Sequence, residues 1–555
     1  MSQLEKCPER EDKHDHDIIQ STIGNFGWWQ FKISSLMALL KFPIAWFQLS
    51  IIFLAPPTQF WCKSDTPTDN STLEWLKDAQ HSHPLLRHAR LNSGFCHSIG
   101  AENETAALCE DGYSYNTTVF HSTIITEWDL VCDNKRLVDV SQITLMFGVL
   151  IGNIMFGIMA DRHGRKKTLI VCIVLQSLFG IAASRIPWYW GFVVTRLLLA
   201  VANGGTIVVS FVMCMEVVGG PWRSIVPILY QIPYGFGNSI MAGLAYLYRD
   251  WRDLHLALSL LSSFYILYLW LIPESPRWLL VTGKKTEATE ILQKAAKCNK
   301  VDSEKVQVAI NEFSSDVNKD TKPRMSALFA TPELAKRNVL LCVNWLIAGV
   351  TFYAFSQYAG KVGSNLYFTA AISGFVAFPG TLLCVFVVRR FGRRLTIASA
   401  HILTAACFFG ILGVPLGVYE QDWPRVVIAG IGIVGLSISM PALYLFTGEL
   451  FPTTVRNAGV GTSVMFSRIG SMIAPLVIAI QDFSPTLPLI LLGIGAILET
   501  FLILLLPETK GLPLPDTIDD LNFKVNKVNE GNEMNRCYIS LPTILKDTSL
   551  DITKI

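Results

Sequence analysis

The chain has 555 residues, 51% of them apolar and only 16% charged, with a mean hydropathy of +0.39. A soluble chain of this length would divide into about three or four domains, so the composition points to a membrane protein instead. The net charge of +2 carries no signal of its own, because charge sign is sorted loop by loop in such chains, and no nucleic-acid signature is present.

Residues 1–32 form a polar tail, expected to be cytoplasmic, with no small-residue cleavage pattern of a signal peptide. Its His14-Asp15-His16-Asp17 run reads as solvated rather than as a metal site, and no metal or cofactor is expected anywhere in the chain. A first apolar span runs from Ile33 to Leu54 despite Lys41 and Pro43. The polar loop 55–137 follows, with Cys62, Cys96, Cys109 and Cys132, which imply two disulfides in one of three connectivities. The same loop holds glycosylation patterns at Asn70, Asn103 and Asn116. Three such acceptors beside four cysteines place the loop in an oxidising, extracellular compartment.

The next feature is the basic turn Gly157-Ile158-Met159-Ala160-Asp161-Arg162-His163-Gly164-Arg165-Lys166-Lys167, between apolar runs at 141–160 and 168–184. Gly164 permits a tight reversal, and the cations hold the turn on the cytoplasmic side. Further spans are expected near 188–215, 224–247 and 254–272, closing the first half at Pro273. Residues 274–338 are charged and helix-prone and read as a cytoplasmic connector with amphipathic helices. The second half, 339–507, repeats the plan with spans near 339–359, 367–388, 395–415, 425–447, 457–480 and 487–506. Its turn Arg389-Arg390-Phe391-Gly392-Arg393-Arg394 echoes the first, Arg389 standing 228 residues after Asp161. Glu216 with Arg223 is matched by Glu449 with Arg456, and Pro273-Glu274 by Pro507-Glu508. Three matched pairs in the same order mark a duplicated membrane protein. The tail 508–555 is polar and expected to be cytoplasmic and largely disordered. Cys172, Cys214, Cys342, Cys384 and Cys407 lie inside apolar runs and read as small packing residues.

The basic turn, its degenerate echo and the six-plus-six layout resemble the major facilitator superfamily of secondary transporters. More narrowly, the chain resembles the organic cation, organic anion and carnitine transporters of solute carrier family 22. That likeness rests on the cysteine loop, Asp250-Trp251-Arg252, Pro273-Glu274-Ser275-Pro276-Arg277-Trp278, Gly448-Glu449-Leu450-Phe451-Pro452-Thr453-Thr454-Val455-Arg456-Asn457 and Pro507-Glu508-Thr509. The resemblance implies an all-α membrane protein with the major facilitator fold, 12 transmembrane helices in two pseudo-symmetric six-helix bundles. Sugar porters share some of these stretches, but the run from Asn344-Trp345 to Gly360 lacks their paired glutamines.

Ionisable residues inside spans are the functional candidates. Arg468, within Val464-Met465-Phe466-Ser467-Arg468-Ile469-Gly470-Ser471, is the sharpest, since a mid-helix guanidinium should meet an anion and no nearby span obviously offers an acid. By resemblance, its position holds aspartate in the cation branch and arginine in the anion and carnitine branches. Ala377 stands where relatives usually carry an acid, and Thr381 where many anion carriers carry lysine. The resemblance also marks Tyr234, Phe352, Tyr353, Tyr444 and Phe446 as cavity aromatics suited to stacking or cation–π contact. Gln231 and Asn238 flank Tyr234 and add polar contacts.

Asp161, Arg162, Arg165, Arg196, Glu216 and Arg223 in the first half, with Arg389, Arg390, Arg393, Glu449 and Arg456 in the second, are expected near cytoplasmic span ends. There, acid–arginine bridges would lock the inner side and break as the halves rock. The final Thr553-Lys554-Ile555 has the form that PDZ domains accept as an added strand. The reading is a plasma-membrane carrier of small organic anions or zwitterions, with a cation uniporter as its rival. A sensor or adhesion protein using the outer loop is the alternative of a different class. An enzyme is not expected, because the chain has no His-Glu-x-x-His, nucleophile elbow or aspartate-rich pair.

Overall fold

In lipid every backbone N–H and C=O must be satisfied within its own segment, so apolar runs of this length become helices. The computed structural model describes residues 22–63, 111–302 and 328–510, apart from 221, 360–361, 364, 416–417 and 453–454. It also describes Cys96, Cys109, Val306, Gln307 and Ile310. Asn70, Asn103, His14, His16, the C-terminal Thr553–Ile555 and much of the connector lie outside the described residues.

Among the described residues, eleven helical segments are long and apolar enough to cross a membrane: Trp28–Leu54, Cys132–His163, Arg165–Arg185, Tyr189–Glu216, Trp251–Leu271, Pro332–Ala359, Leu366–Phe391, Arg393–Leu412, Trp423–Leu450, Ala458–Ala479 and Leu487–Leu504. The fifth span completes the set of twelve but is broken, into Trp222–Leu229 and Ile232–Leu247. Pro233 has no N–H to continue the ladder, so Gln231 closes on Ile228 at 3.1 Å and Tyr234 on Gln231 at 3.1 Å. The expected uninterrupted run 224–247 is thus corrected to two helices meeting at Tyr230-Gln231.

Each half ties its own spans with the same knot. Gly164 and Gly392 take φ of 106° and 93°, a left-handed conformation that side chains disfavour. Beside the first, Glu274 accepts from the N–H groups of Arg165 and Lys166 at 2.9 and 3.0 Å, capping the third span. Beside the second, Glu508 accepts from the N–H groups of Arg393 and Arg394, both at 3.0 Å. Anionic caps at a helix start also favour the helix dipole. Arg165 then binds Glu216 at 2.8 Å and Asp161 at 3.0 Å, and Arg393 binds Glu449 at 2.7 Å.

The face opposite these turns carries the cysteine loop. Strand β1 (Phe60–Cys62) pairs antiparallel with β2 (Tyr113–Tyr115), Trp61 opposite Ser114. The disulfides are Cys62–Cys109 and Cys96–Cys132. At Asn116 the side-chain oxygen accepts from the Thr118 hydroxyl at 2.7 Å, joining both ends of that acceptor pattern. The Asp250-Trp251-Arg252 motif clamps this face: Asp250 caps the sixth span, and Trp251 and Arg252 both bind Glu127.

The two halves meet most closely where the fifth span crosses the eighth. A Cβ on Gly235 would lie 2.6 Å from the Gly374 carbonyl oxygen. Asn238 donates to Ala370 O and Ser373 Oγ at 3.1 Å each, and Ser239 to Ala371 O at 2.7 Å. Gly235→Val should therefore abolish uptake and broaden the gel-filtration peak of the detergent-purified protein, whereas Gly243→Val, where a Cβ meets nothing within 4 Å, should do neither.

Partial burial pushes the Glu508 carboxyl up, but the N–H groups of Arg393, Lys510, Arg394 and Thr509 outweigh it and hold it below its usual value. A depressed carboxyl stabilises the fold fully above its ordinary range near pH ~4.3, and that contribution is lost as pH falls through the lower, folded-state value. Glu508→Gln should lower the melting temperature by about 2–4 °C at neutral pH. The gap between variant and parent should close on acidification.

Candidate functional site

Arg468 sits midway along the eleventh span and is 8% exposed. Its Nη1 donates to the Tyr353 hydroxyl at 2.7 Å, while its Nε, also buried, has no partner. Tyr353, on the seventh span, donates in turn to Gln48 Oε1 on the first span at 2.6 Å. This pair of bonds crosses from one bundle to the other. Gln48 then donates to Asn203 at 3.2 Å, Asn203 to Gln176 at 3.0 Å and Gln176 to Ser262 at 2.9 Å. One buried polar chain thus links spans eleven, seven, one, four, three and six.

The guanidinium meets no carboxylate among the described residues. The intramembrane acid that span-by-span reading passed over, Glu499 on the twelfth span, is committed elsewhere. It faces His401 at 3.1 Å and accepts from Thr351 at 2.9 Å. A mid-membrane arginine costs about 2.5–3.5 kcal/mol on insertion scales, and a single bond to a neutral phenol leaves most of its fork unused.

Aromatic rings surround it. Tyr353, Tyr444 and Tyr234 all lie within electrostatic range of Arg468, and the Tyr234 hydroxyl is buried without a hydrogen-bond partner among the described residues. Phe352 packs on Tyr353 with ring centres 5.3 Å apart and on Tyr234 at 6.2 Å. Tyr444 stands edge-on to Trp345 at 4.5 Å.

A second cation was not among the sequence candidates. Lys41, on the first span and 7% exposed, holds its Nζ 4.6 Å from the centre of the Tyr230 ring. Lys41 lies within electrostatic range of Arg468. Tyr230 shares a 2.6 Å hydrogen bond with Ser210 and packs against Phe211, which touches Tyr444 at 6.0 Å. The available signal was a lysine in the middle of an apolar run; taking it only as an interruption of the span hid it.

Other candidates fall outside the cluster. Phe446 is fully buried in the apolar core of the second bundle. Asn238 serves the crossing of the halves. Gln231, half-buried, starts the second piece of the broken span. Ala377 packs beside Gly235, and Thr381 bonds back to the Ala377 carbonyl.

Arg196 requires correction. It lies two turns into the fourth span from the cysteine-loop face, not at the basic face, and donates to Gln142 at 2.9 Å. The chain enters that span at Tyr189 from the loop side, which fixes Arg196 there. Among the basic-face residues, Arg162, Arg389 and Arg390 are exposed at helix ends. Arg223 and Arg456 donate to Val218 O and Phe451 O at 3.1 and 3.3 Å, in matching positions of the two halves. The bridges of Arg165 and Arg393 stay within their own halves in this structure, holding each bundle together rather than joining the two.

The profile of the family described as "Sugar (and other) transporter" matches residues 100–519. The chain is 31% identical over 525 residues to the organic cation transporter protein of Drosophila melanogaster, covering 91% of this chain and 94% of that one. It is 31% identical to solute carrier family 22 member 3 of Rattus norvegicus, covering 90% and 94%. To organic anion transporter 3 of Homo sapiens it is 31% identical, covering 94% and 97%. The fold matches that of the major facilitator superfamily proton:xylose symporter XylE with a TM-score of 0.61 at 16% identity, covering 88% of this chain and 98% of that one. The chain therefore belongs to the sugar (and other) transporter family of the major facilitator superfamily, and within it to the organic cation and anion transporters of solute carrier family 22, a family of carriers and not of enzymes.

Proposed function

We propose that this chain carries small organic anions or zwitterions across the plasma membrane by alternating access, secondary-active or facilitative, with Arg468 as the carboxylate anchor. The observation behind this reading is a buried guanidinium with an unpartnered Nε and no acid beside it. A carboxylate would take the free edge of the fork and compete with Tyr353 for the rest, while Tyr234, Phe352 and Tyr444 offer faces to an aromatic body.

Tyr353 gives binding a route to movement. Its hydroxyl accepts from Arg468 in the second half and donates to Gln48 in the first. An anion that draws the guanidinium away loosens a bond across the bundle interface, and each bundle, tied by its own Arg165 or Arg393 knot, then rotates as a unit. The cysteine loop faces outward in this reading. The basic turns and both termini face the cytoplasm.

A cation uniporter would need a negative group at the centre, and among the described residues the cluster around Arg468 supplies none. Uptake by expressing cells of a drug-like carboxylate, carnitine and tetraethylammonium, with Arg468→Ala run beside the parent, tests the reading. Anion or carnitine uptake that falls at least about tenfold in the variant is expected. Entry of tetraethylammonium alone, equal in both proteins, would replace this reading with the cation one. Uptake by none of the three in liposomes would favour a sensor or adhesion role.

Tyr353→Phe keeps the ring and removes both bonds. It should weaken carboxylate affinity less than Arg468→Ala while changing turnover more than KM, as measured by concentration-dependent uptake.

A further inference from the structure

Lys41 is carried by the first half, opposite Arg468 on the second. Its Nζ lies 4.6 Å from the Tyr230 ring centre, within the ~6 Å reach of a cation–π contact. Among the described residues it forms no ion pair, so the ring face and the small remaining access are what hold the ammonium. The aromatic series Tyr230, Phe211, Tyr444 runs from this lysine toward Arg468, with ring centres 5.8 and 6.0 Å apart.

We infer that Lys41 is a built-in occupant of the Tyr230 ring face and thereby restricts the site to anions, excluding carnitine-like zwitterions and organic cations. The inference rests on the anion reading of Arg468 and narrows it. A zwitterion seated with its carboxylate on Arg468 needs a place for its ammonium. The Tyr230 face at the other end of the aromatic series is the fitting place, and a protein ammonium already fills it. A substrate cation arriving there meets two like charges in a low-dielectric setting where repulsion is strong. An anion meets two attractive charges, one on each bundle.

Lys41→Met keeps the length of the side chain, removes its charge and frees the ring face; Lys41→Arg keeps the charge. The purified full-length chain in liposomes would be given labelled benzoate, carnitine and tetraethylammonium. The parent should admit benzoate and exclude carnitine. In Lys41→Met the ratio of carnitine to benzoate uptake should rise about tenfold, whereas Lys41→Arg should leave that ratio at the parent value. Lys41→Gln and ligand-induced thermal shifts on the detergent-purified proteins provide a second route should the methionine variant misfold, and carnitine should stabilise the neutral variants alone. Carnitine uptake by the parent at the benzoate level overturns the inference. So does a neutral variant that binds benzoate and still ignores carnitine, which leaves the anion reading intact. Absence of benzoate uptake in the parent, or benzoate uptake indifferent to Arg468→Ala, overturns the anion reading and this inference with it.

Discussion

A guanidinium placed midway across a bilayer, with one phenol as its hydrogen-bond partner, sets the terms for the rest of this protein. The fold tolerates it by surrounding it with tyrosines and by linking its one satisfied nitrogen to a relay of amides. That relay runs through Tyr353, Gln48, Asn203 and Gln176, so the charge is joined to the interiors of both bundles. A well-satisfied polar network rigidifies a core, and a member left with an open valence carries a desolvation cost. The open Nε is that valence.

Mobility at the interface requires that each bundle hold itself together, and the duplicated knots meet that need. In both halves a left-handed glycine lets the chain reverse, an acid from the end of the bundle caps the next helix, and an arginine ties in an acid from the fourth or tenth span. The copies differ where Arg389 replaces the aspartate of the first turn, so Arg165 has two acidic partners and Arg393 has one in the corresponding turn. Contacts between bundles are of another kind: glycine against glycine, an asparagine on a carbonyl and a hydroxyl, a serine on a carbonyl, a tyrosine on a glutamine. These neutral contacts cost less to break than buried ion pairs.

The spans, the duplication and the knot residues were legible in the sequence because each follows from local chemistry: apolar length, glycine at a reversal, acids beside basic turns. Arg468 was legible for the same reason, a charge where charge is costly. What was not legible depends on rotation about a helix or on partners far along the chain. Phe446 and Tyr444 are two residues apart, yet Phe446 is fully enclosed in the core while Tyr444, at its edge, meets Phe211 and Trp345. Arg196 resembles its basic-face neighbours in composition and differs only in how deep along its span it lies. Lys41 takes its meaning from Tyr230, and Glu499 from His401, pairings that no short window contains. The break at Tyr230-Gln231 was foreshadowed by Pro227 and Pro233, but hydropathy alone runs smoothly through it.

The central claim is that Arg468 holds a carboxylate directly. Equilibrium binding of labelled benzoate to the detergent-purified chain tests this without requiring any movement of the bundles. Binding by the parent, a loss of at least about tenfold in Arg468→Ala and partial recovery in Arg468→Lys is the predicted pattern. Equal affinity in parent and alanine variant, with both proteins monodisperse, would contradict it and return the arginine to a purely structural role.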